Sequence, residues 1–364
     1  MTRIPVAAAG SSYDVVVGSG FLGRAAAHLP DLGAAEKAFV MADHQVATLY
    51  LDSLQVGLAI EPCSLQSIHL PVPQGEQAKT IAVAEALYHQ LALQQAHRSD
   101  VVVALGGGVV GDLGGFVAAT YMRGVPFLQV PTTLTAQVDA AIGGKTAVNL
   151  PAGKNLVGAF HQPRAVLADV ATLATLPERE FRSGLAEVAK YALVLDAGLL
   201  DLLEHRVDAV LARDPATLED LVARSVRAKA AVVATDERDE GPRLVLNYGH
   251  TLGHALERMD QFRGRSHGEA VAVGMVFAAK LSERLGMAGS ALAARHQRLL
   301  SALSLPTGGP LPETEGILEA FRLDKKHQGS VRFVLLEDVG APRVVDAVPE
   351  AVIREVLEEM GAGR

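Results

Sequence analysis

The sequence predicts an α/β protein whose first half builds an open, mostly parallel sheet and whose second half is mainly helical. Three observations lead there. Short β-branched runs alternate with amphipathic stretches between residues 13 and 133. A strand of the fully buried type, DVVVALGGG at residues 100–108, runs straight into glycines. Beyond residue 176 the apolar residues recur three and four apart, which is the helical period. Strands alternating with helical stretches are the mark of βαβ units and hence of a parallel sheet.

The elements follow in order. YDVVVG (13–18) and KAFVMAD (37–43) read as strands, IHLPVP (68–73) as a third, and a helical stretch spans 80–95. After the strand at 100–108, PFLQVPTT (126–133) is one more. LPEREFRSGLAEVAKYALVLD, LEDLVARSVRAKAAVVATDE, NYGHTLGHALERM and GEAVAVGMVFAAKLSERLG then read as helices, with a late strand-like VRFVLLE at 331–337. The change of pattern divides the chain into 1–176 and 177–364, although no Gly/Ser linker marks the boundary. No fixed-period repeat or low-complexity tract is present.

Composition narrows the function. A chain of 364 residues has room for two domains, and 49% hydrophobic with 20% charged residues is an ordinary balance for a globular enzyme. With no tryptophan, the core is built from Ala, Val, Leu and Ile. A net charge of −8 argues against nucleic-acid and membrane-surface binding, which need a basic footprint. It leaves room for a small anionic substrate held by a few converging cations. Cys63 is the sole cysteine, so an intrachain disulfide and a multi-cysteine zinc site are excluded, and a reducing cytoplasm is the natural setting. MTRIPVAAAGSSYDVVV has no long apolar core before a cleavage site, so no signal peptide is expected. The longest apolar stretch, 101–122, holds six glycines and Asp112, unlike a membrane span.

Three groups of residues carry chemistry. The first is LGGGVVGD (105–112), between a strand and a helix, where glycines let a backbone approach a pyrophosphate at a helix N-terminus. A tight turn needing positive φ would look the same, and the spacing departs from G-x-G-x-x-G. Asp43, ending the second strand, sits where an acid can bind ribose hydroxyls, and QGEQAK (74–79) follows the third strand. Either is also compatible with a solvated turn.

The second group is a candidate metal set. His250 and His254 lie four apart on one helix face, His267 opens the next helix in RSHGEAV, and Glu187 sits in the apolar SGLAEVAKYA. A buried carboxylate needs a cation or donors, and imidazoles with a carboxylate suit zinc with one position left open. Ordinary helix-surface residues would give the same spacing, and periodicity does not select among the histidines. Thr251 follows His250, so the glutamate of an HExxH metalloprotease is missing.

The third group is cationic: Arg123, Lys145, Lys154 with Asn155, Lys229, Arg243, Asn247 and the pair Lys325–Lys326. Lys as a point charge and Arg as a fork are what phosphate and carboxylate recognition use. Any one of them alone reads as a solvated surface charge. Their recurrence beside Gly and Asn in loops makes the set more telling than its members.

These motifs resemble the 3-dehydroquinate synthases. GGGVVGDLGGFVAATYMRGVPFLQVPTTLTAQVDAAIGGKTAVNLPAGKNLVGAFHQP is similar to that family's core almost without gaps. It is followed by TLPEREFRSGLAEVAKY, DERDEGPRLVLNYGHTLGHALE, SHGEAVAVGM and LDKKHQGSVRFVLL in the family's order. The resemblance implies a Rossmann-like NAD-binding domain at 1–176, a helical metal- and substrate-binding domain at 177–364, and an active site between them. It implies tightly held NAD and one zinc, with cobalt as a substitute, and names Glu187, His250 and His267 as the metal ligands. Carried over, the cofactor contacts are Asp43, Gly75, Glu76, Lys79, Gly107, Gly108, Val109, Val110, Gly111, Asp112, Thr132, Thr133, Thr172 and Thr175. Asp139, Lys145 and Lys154 lie at the join between cofactor and substrate. The substrate phosphate would meet Lys145, Asn155, Asn247, His254 and Lys326, with Arg123 reaching over from the partner in a homodimer. Lys229 and Arg243 would hold the carboxylate, and Lys190 the reacting hydroxyl.

The reaction so implied converts 3-deoxy-D-arabino-heptulosonate 7-phosphate to 3-dehydroquinate, the second step of the shikimate pathway. NAD transiently oxidises C5, phosphate leaves by β-elimination, the ketone is reduced again, and an intramolecular aldol closes the ring. Gln45, Thr135 and Pro242 depart from common family residues, and none removes a charged or ligating group. Rival readings are sister sugar phosphate cyclases, one of them acting on an aminated substrate, iron-dependent alcohol dehydrogenases, and a non-catalytic NAD-binding protein.

Overall fold

The computed structural model describes all residues except 9, 239–240, 261–263, 329–330 and 364, and at 324–328 the backbone only. The chain opens on an antiparallel hairpin of β1 (Thr2–Ala8) and β2 (Ser11–Gly18). β3 (Lys37–Asp43) leads through α1 (His44–Val46) and a π turn into α2 (Asp52–Ala59). β4 (Gln66–Val72), α3 (Ile81–Leu93), β5 (Val101–Gly106), α4 (Gly108–Thr120) and β6 (Phe127–Pro131) then alternate. β7 (Lys145–Leu150) and β8 (Gly153–Phe160) form a separate antiparallel pair, and β9 (Ala165–Asp169) returns to the main sheet.

That sheet runs β1-β2-β9-β6-β5-β3-β4 and is parallel apart from β1–β2. All six residues of β5 are buried, which is why it reads as a continuous apolar run instead of an alternating one. Met41, Leu87, Leu113 and Phe127 pack on one face beneath α3 and α4. Val40, Leu54, Val103 and Leu128 pack on the other beneath α2. Pro71 is tolerated because β4 is an edge strand. The strand order reverses between β3 and β5, the kind of point at whose carboxyl ends open α/β sheets bind ligands.

The glycine-rich turn after β5 does not use positive φ: Gly106, Gly107 and Gly108 are all absent from the left-handed region. Close approach explains them instead. A Cβ on Gly106 would stand 2.8 Å from the Val110 side chain, and one on Gly107 2.9 Å from Thr133 Cγ2.

The remaining elements are α5 (Glu178–Val194), α6 (Ala197–His205), α7 (Val207–Leu211), α8 (Pro215–Thr235), α9 (His250–Met259), α10 (His267–Arg284), α11 (Leu292–Ala302) and α12 (Thr314–Gln328). The β10 (Arg332–Asp338)–β11 (Ala341–Asp346) hairpin and α13 (Glu350–Glu359) end the chain. Two compact units result: Met1–Leu176 with Pro215–Arg238, and Pro177–Asp214 with Asp239–Arg364. Helix α8 thus joins the first unit, packing on β1 and β2, whereas the division read from the sequence left it with the second half. Helical period says nothing about which core a helix faces. No described helix is long and apolar enough to cross a membrane.

In the second unit α10 is the central helix, buried nearly all round by α5, α9, α11, α13 and β10. Its glycines set how near its neighbours come. A Cβ on Gly274 would lie 1.9 Å from the carbonyl oxygen of Gly249, and one on Gly268 2.2 Å from that of Ser183. Gly274→Ala is therefore expected to cost about 1–3 kcal/mol of stability in urea unfolding. Gly289→Ala, where a Cβ meets nothing within 4 Å, should leave the midpoint unchanged. Equal midpoints for the two variants would contradict the close approach.

Candidate active site

Three local devices aim side chains at one point in the second unit. Glu187 projects from the middle of α5 with 0% of its surface exposed. Gly249, left-handed at φ 77°, turns the chain so that α9 starts at His250. Ser266 and Glu269 form a capping box that starts α10 at His267, with the Ser266 N–H donating to Glu269 at 2.6 Å. Gly268 N–H also donates to Ser183 Oγ at 2.9 Å, tying that helix end to α5.

As a result His267 Nε2 lies 3.0 Å, and His250 Nε2 3.4 Å, from the same oxygen of Glu187. One ligand atom from each of the three residues lies within 4.8 Å of the others. The other Glu187 oxygen is 2.6 Å from Lys190 Nζ, one turn on along α5 and also buried. Burial opposes ionisation of Glu187, but the charges of Lys190 and His250 with the two imidazole bonds hold its pKa well below the usual range.

The ring tautomers decide what fits there. His250 Nδ1 is 3.0 Å from the Tyr248 carbonyl oxygen, and His267 Nδ1 is 3.2 Å from a Glu257 carboxylate oxygen. Both partners are pure acceptors, so both Nδ1 atoms donate. A neutral ring then turns its Nε2 lone pair on a carboxylate oxygen, and two such lone pairs beside an anion call for a positive charge between them. A proton is the minimal answer: burial disfavours it on His267, yet bonds to Glu187 and Glu257 carry that pKa up to about 10. A divalent cation is the fuller one, and a carboxylate with two imidazoles suits zinc. His254 stays exposed, with its ring 5.2 Å from that of His250. It is outside the three-residue set.

In the first unit the expected cofactor residues gather at one edge of the sheet. Asp43 ends β3, the 75–79 segment follows β4, Gly107 caps α4 after β5, Thr132 and Thr133 follow β6, and Thr172 and Thr175 follow β9. These are carboxyl ends of parallel strands, where α/β sheets bind ligands. Asp43 Oδ1 accepts from Val46 N–H at 3.0 Å. Val110 turns its side chain into the core, whereas Gly108, Val109 and Gly111 lie in the first turns of α4. Thr172 Oγ1 meets buried Gln137 at 3.1 Å, and Thr175 Oγ1 contacts the Tyr50 hydroxyl.

Buried Lys79 stands 2.6 Å from both Asp112 Oδ2 and Asn155 Oδ1. Burial raises the pKa of Asp112 against the opposing pull of Lys79. Asn149 bonds Glu76 at 2.7 Å and the Asn155 N–H at 2.8 Å, so the β7–β8 hairpin is clasped to the 76–79 segment. Lys229 of α8 reaches both the carboxylate and the carbonyl of Asp139 at 2.5 Å. Arg123 is exposed in a left-handed turn at φ 66°, Lys145 is exposed at the start of β7, and Lys154 is partly buried on β8.

In the second unit, Arg243 is buried and Asn247 half-buried in the 3₁₀ turn Pro242–Asn247. The side chains of Lys325 and Lys326 lie outside the described residues. Sequence reading missed Glu257, Asn149, and the buried pair of Tyr248 and His296, whose Oη and Nε2 are 2.8 Å apart. Burial holds His296 down to a pKa of about 4. A carboxylate on the apolar side of LGHALE was the one available signal for Glu257.

Solved structures with this architecture identify its class. A 2-deoxy-scyllo-inosose synthase complexed with carbaglucose-6-phosphate, NAD+ and Co2+ superposes with a TM-score of 0.86 at 27% identity, covering 99% of this chain and 100% of that one. A 2-epi-5-epi-valiolone synthase from Streptomyces hygroscopicus subsp. jinggangensis with NAD+ and Zn2+ bound gives 0.87 at 30% identity, covering 96% and 97%. An iron-containing alcohol dehydrogenase, at 15% identity and a TM-score of 0.64 over 96% of this chain and 97% of its own, shares the fold alone. The fold is thus that of the sugar phosphate cyclases.

Within that class the sequence is specific. The family descriptions "3-dehydroquinate synthase N-terminal" and "3-dehydroquinate synthase C-terminal" match residues 69–183 and 184–327. The 3-dehydroquinate synthase of Halorhodospira halophila is 48% identical over 95% of this chain and 96% of its own length. That of Dehalococcoides mccartyi is 42% identical over 99% and 100%. The chain belongs to the 3-dehydroquinate synthase family.

Mass spectrometry under native conditions is expected to find one zinc in the parent protein and none in a Glu187→Ala/His267→Ala variant. Full zinc retention by the variant would contradict the assignment of these ligands.

Proposed function

We propose that the protein converts 3-deoxy-D-arabino-heptulosonate 7-phosphate to 3-dehydroquinate and phosphate. The supporting observation is full-length identity of 42–48% to 3-dehydroquinate synthases in a chain that keeps Glu187, His250 and His267 within ligand distance. Glu187, His250 and His267 would hold zinc, and the carboxyl edge of the sheet would hold NAD. Bound there, zinc supplies Lewis-acid polarisation of a hydroxyl, and NAD supplies reversible hydride acceptance.

The chain's own residues supply charge and position. Lys190, its ammonium held by Glu187 and sheltered from water, would donate a hydrogen bond to the reacting hydroxyl oxygen. Arg243 and Lys229 are buried cations suited to a carboxylate, and Asp139 holds Lys229 in place. Lys145, Asn155, Asn247, His254 and Lys326 would meet the phosphate. The clasp from Asn149 fixes Asn155 relative to the 76–79 segment, so a phosphate group and a nucleotide would be gripped by one connected network. A homodimer in which Arg123 serves the partner, and a cytoplasmic setting that keeps Cys63 reduced, complete the reading.

The second reading is a sister cyclase with the same cofactors and a different sugar phosphate. It rests on the 27–30% identical structures and is the weaker for that lower identity. The test is phosphate release from 3-deoxy-D-arabino-heptulosonate 7-phosphate with catalytic NAD. Chelator-sensitive release with dehydroquinate formed and no net NADH is expected. No release from folded, zinc-loaded protein would overturn the assignment in favour of a sister enzyme, and stoichiometric NADH would indicate a dehydrogenase.

A further inference from the structure

We propose that Glu257 is a positioning residue that delivers His267 to the metal through Nε2, an inference that rests on the metal set proposed above. Glu257 sits on α9, two turns after His250, so a single helix carries one ligand and the anchor of another. Its side chain is only 11% exposed, and a carboxylate oxygen lies 3.2 Å from His267 Nδ1. A carboxylate is costly at that depth without a donor, and the His267 Nδ1–H supplies one.

His267 needs such an anchor more than the other ligands do. Glu187 is walled in on every side, and the Nδ1–H of His250 is held by the peptide carbonyl of Tyr248. The His267 side chain keeps 35% of its surface exposed at the first position of α10, against 11% for His250 and 0% for Glu187, so it is the least enclosed of the three. With Nδ1–H donating to Glu257, the Nε2 lone pair is fixed towards Glu187 Oε1, and the nearby negative charge makes the ring a stronger donor to a cation. The two imidazoles are thus oriented by the same rule, one through the backbone and one through a side chain. Only the second can be removed by substitution.

The experiment compares Glu257→Gln, which keeps an oxygen acceptor, with Glu257→Leu, which keeps bulk without one. Zinc affinity is read by competition with a chromophoric chelator, geometry by visible absorption of the cobalt-loaded protein, and folding by circular dichroism. Glu257→Leu should weaken zinc about 10–100-fold and alter the cobalt spectrum, and Glu257→Gln should lose clearly less. Parental affinity in Glu257→Leu, or equal losses in the two variants, would overturn the proposal. Nitrogen NMR of the zinc-loaded parent tests it without substitution: a protonated Nδ1 and a metal-bound Nε2 on His267 are expected, and the reverse tautomer would refute it. A parent that binds no zinc would remove the metal reading itself, whereas unaltered binding in both variants removes only the role of Glu257.

Discussion

A carboxylate with no exposed surface must meet positive charge within hydrogen-bond reach, and the helical unit is arranged around that demand at Glu187. Lys190 answers it on one oxygen, and two imidazoles converge on the other. None of these partners is placed by chance of packing. The Ser266–Glu269 capping box fixes where α10 begins, Gly268 lets that end touch α5, and left-handed Gly249 starts α9 at His250. The capping box depends on two side chains, and at either glycine a larger side chain would spoil the approach. Glu187, His250 and His267 bring one ligand atom each within 4.8 Å of the others, the spacing a cation would need.

The sheet unit gathers its polar groups in a different way. Parallel strands deliver Asp43, the 75–79 segment, Gly107, Thr132, Thr133 and Thr172 to their carboxyl ends, on both sides of the reversal of strand order. Gly107 serves closeness, since a Cβ there would press on Thr133, whereas Gly75 supplies a turn in the left-handed region at φ 85°. Lys79, Asp112 and Asn155 form one polar knot, and Asn149 ties it to Glu76. Networks of this kind rigidify when fully satisfied, and they make the loss of any one member costly.

Much of this was legible in the sequence. KAFVMAD matches β3 end to end, because a β-branched and apolar run that is buried on both faces is unmistakable. The edge strand β1 and the strand β9 went unseen: TRIPVAA carries a proline, and AVLAD is too short to show a period. Period located α8 and could not say which unit it packs against. At the metal set, spacing gave three histidines and a glutamate without ranking them. The choice depends on ring orientation, which is a property of Tyr248 O and Glu257, both distant from any motif template. Asn149 escaped for a similar reason, since its value lies in joining two segments far apart in the chain.

X-ray absorption at the zinc edge tests the central claim most directly. The account expects a first shell of nitrogen and oxygen at about 2.0–2.2 Å, with outer-shell scattering from two imidazoles and no sulfur. A shell that requires three imidazoles would bring in His254, and one that requires none would separate the metal from His250 and His267. Either would contradict the cation site built on Glu187.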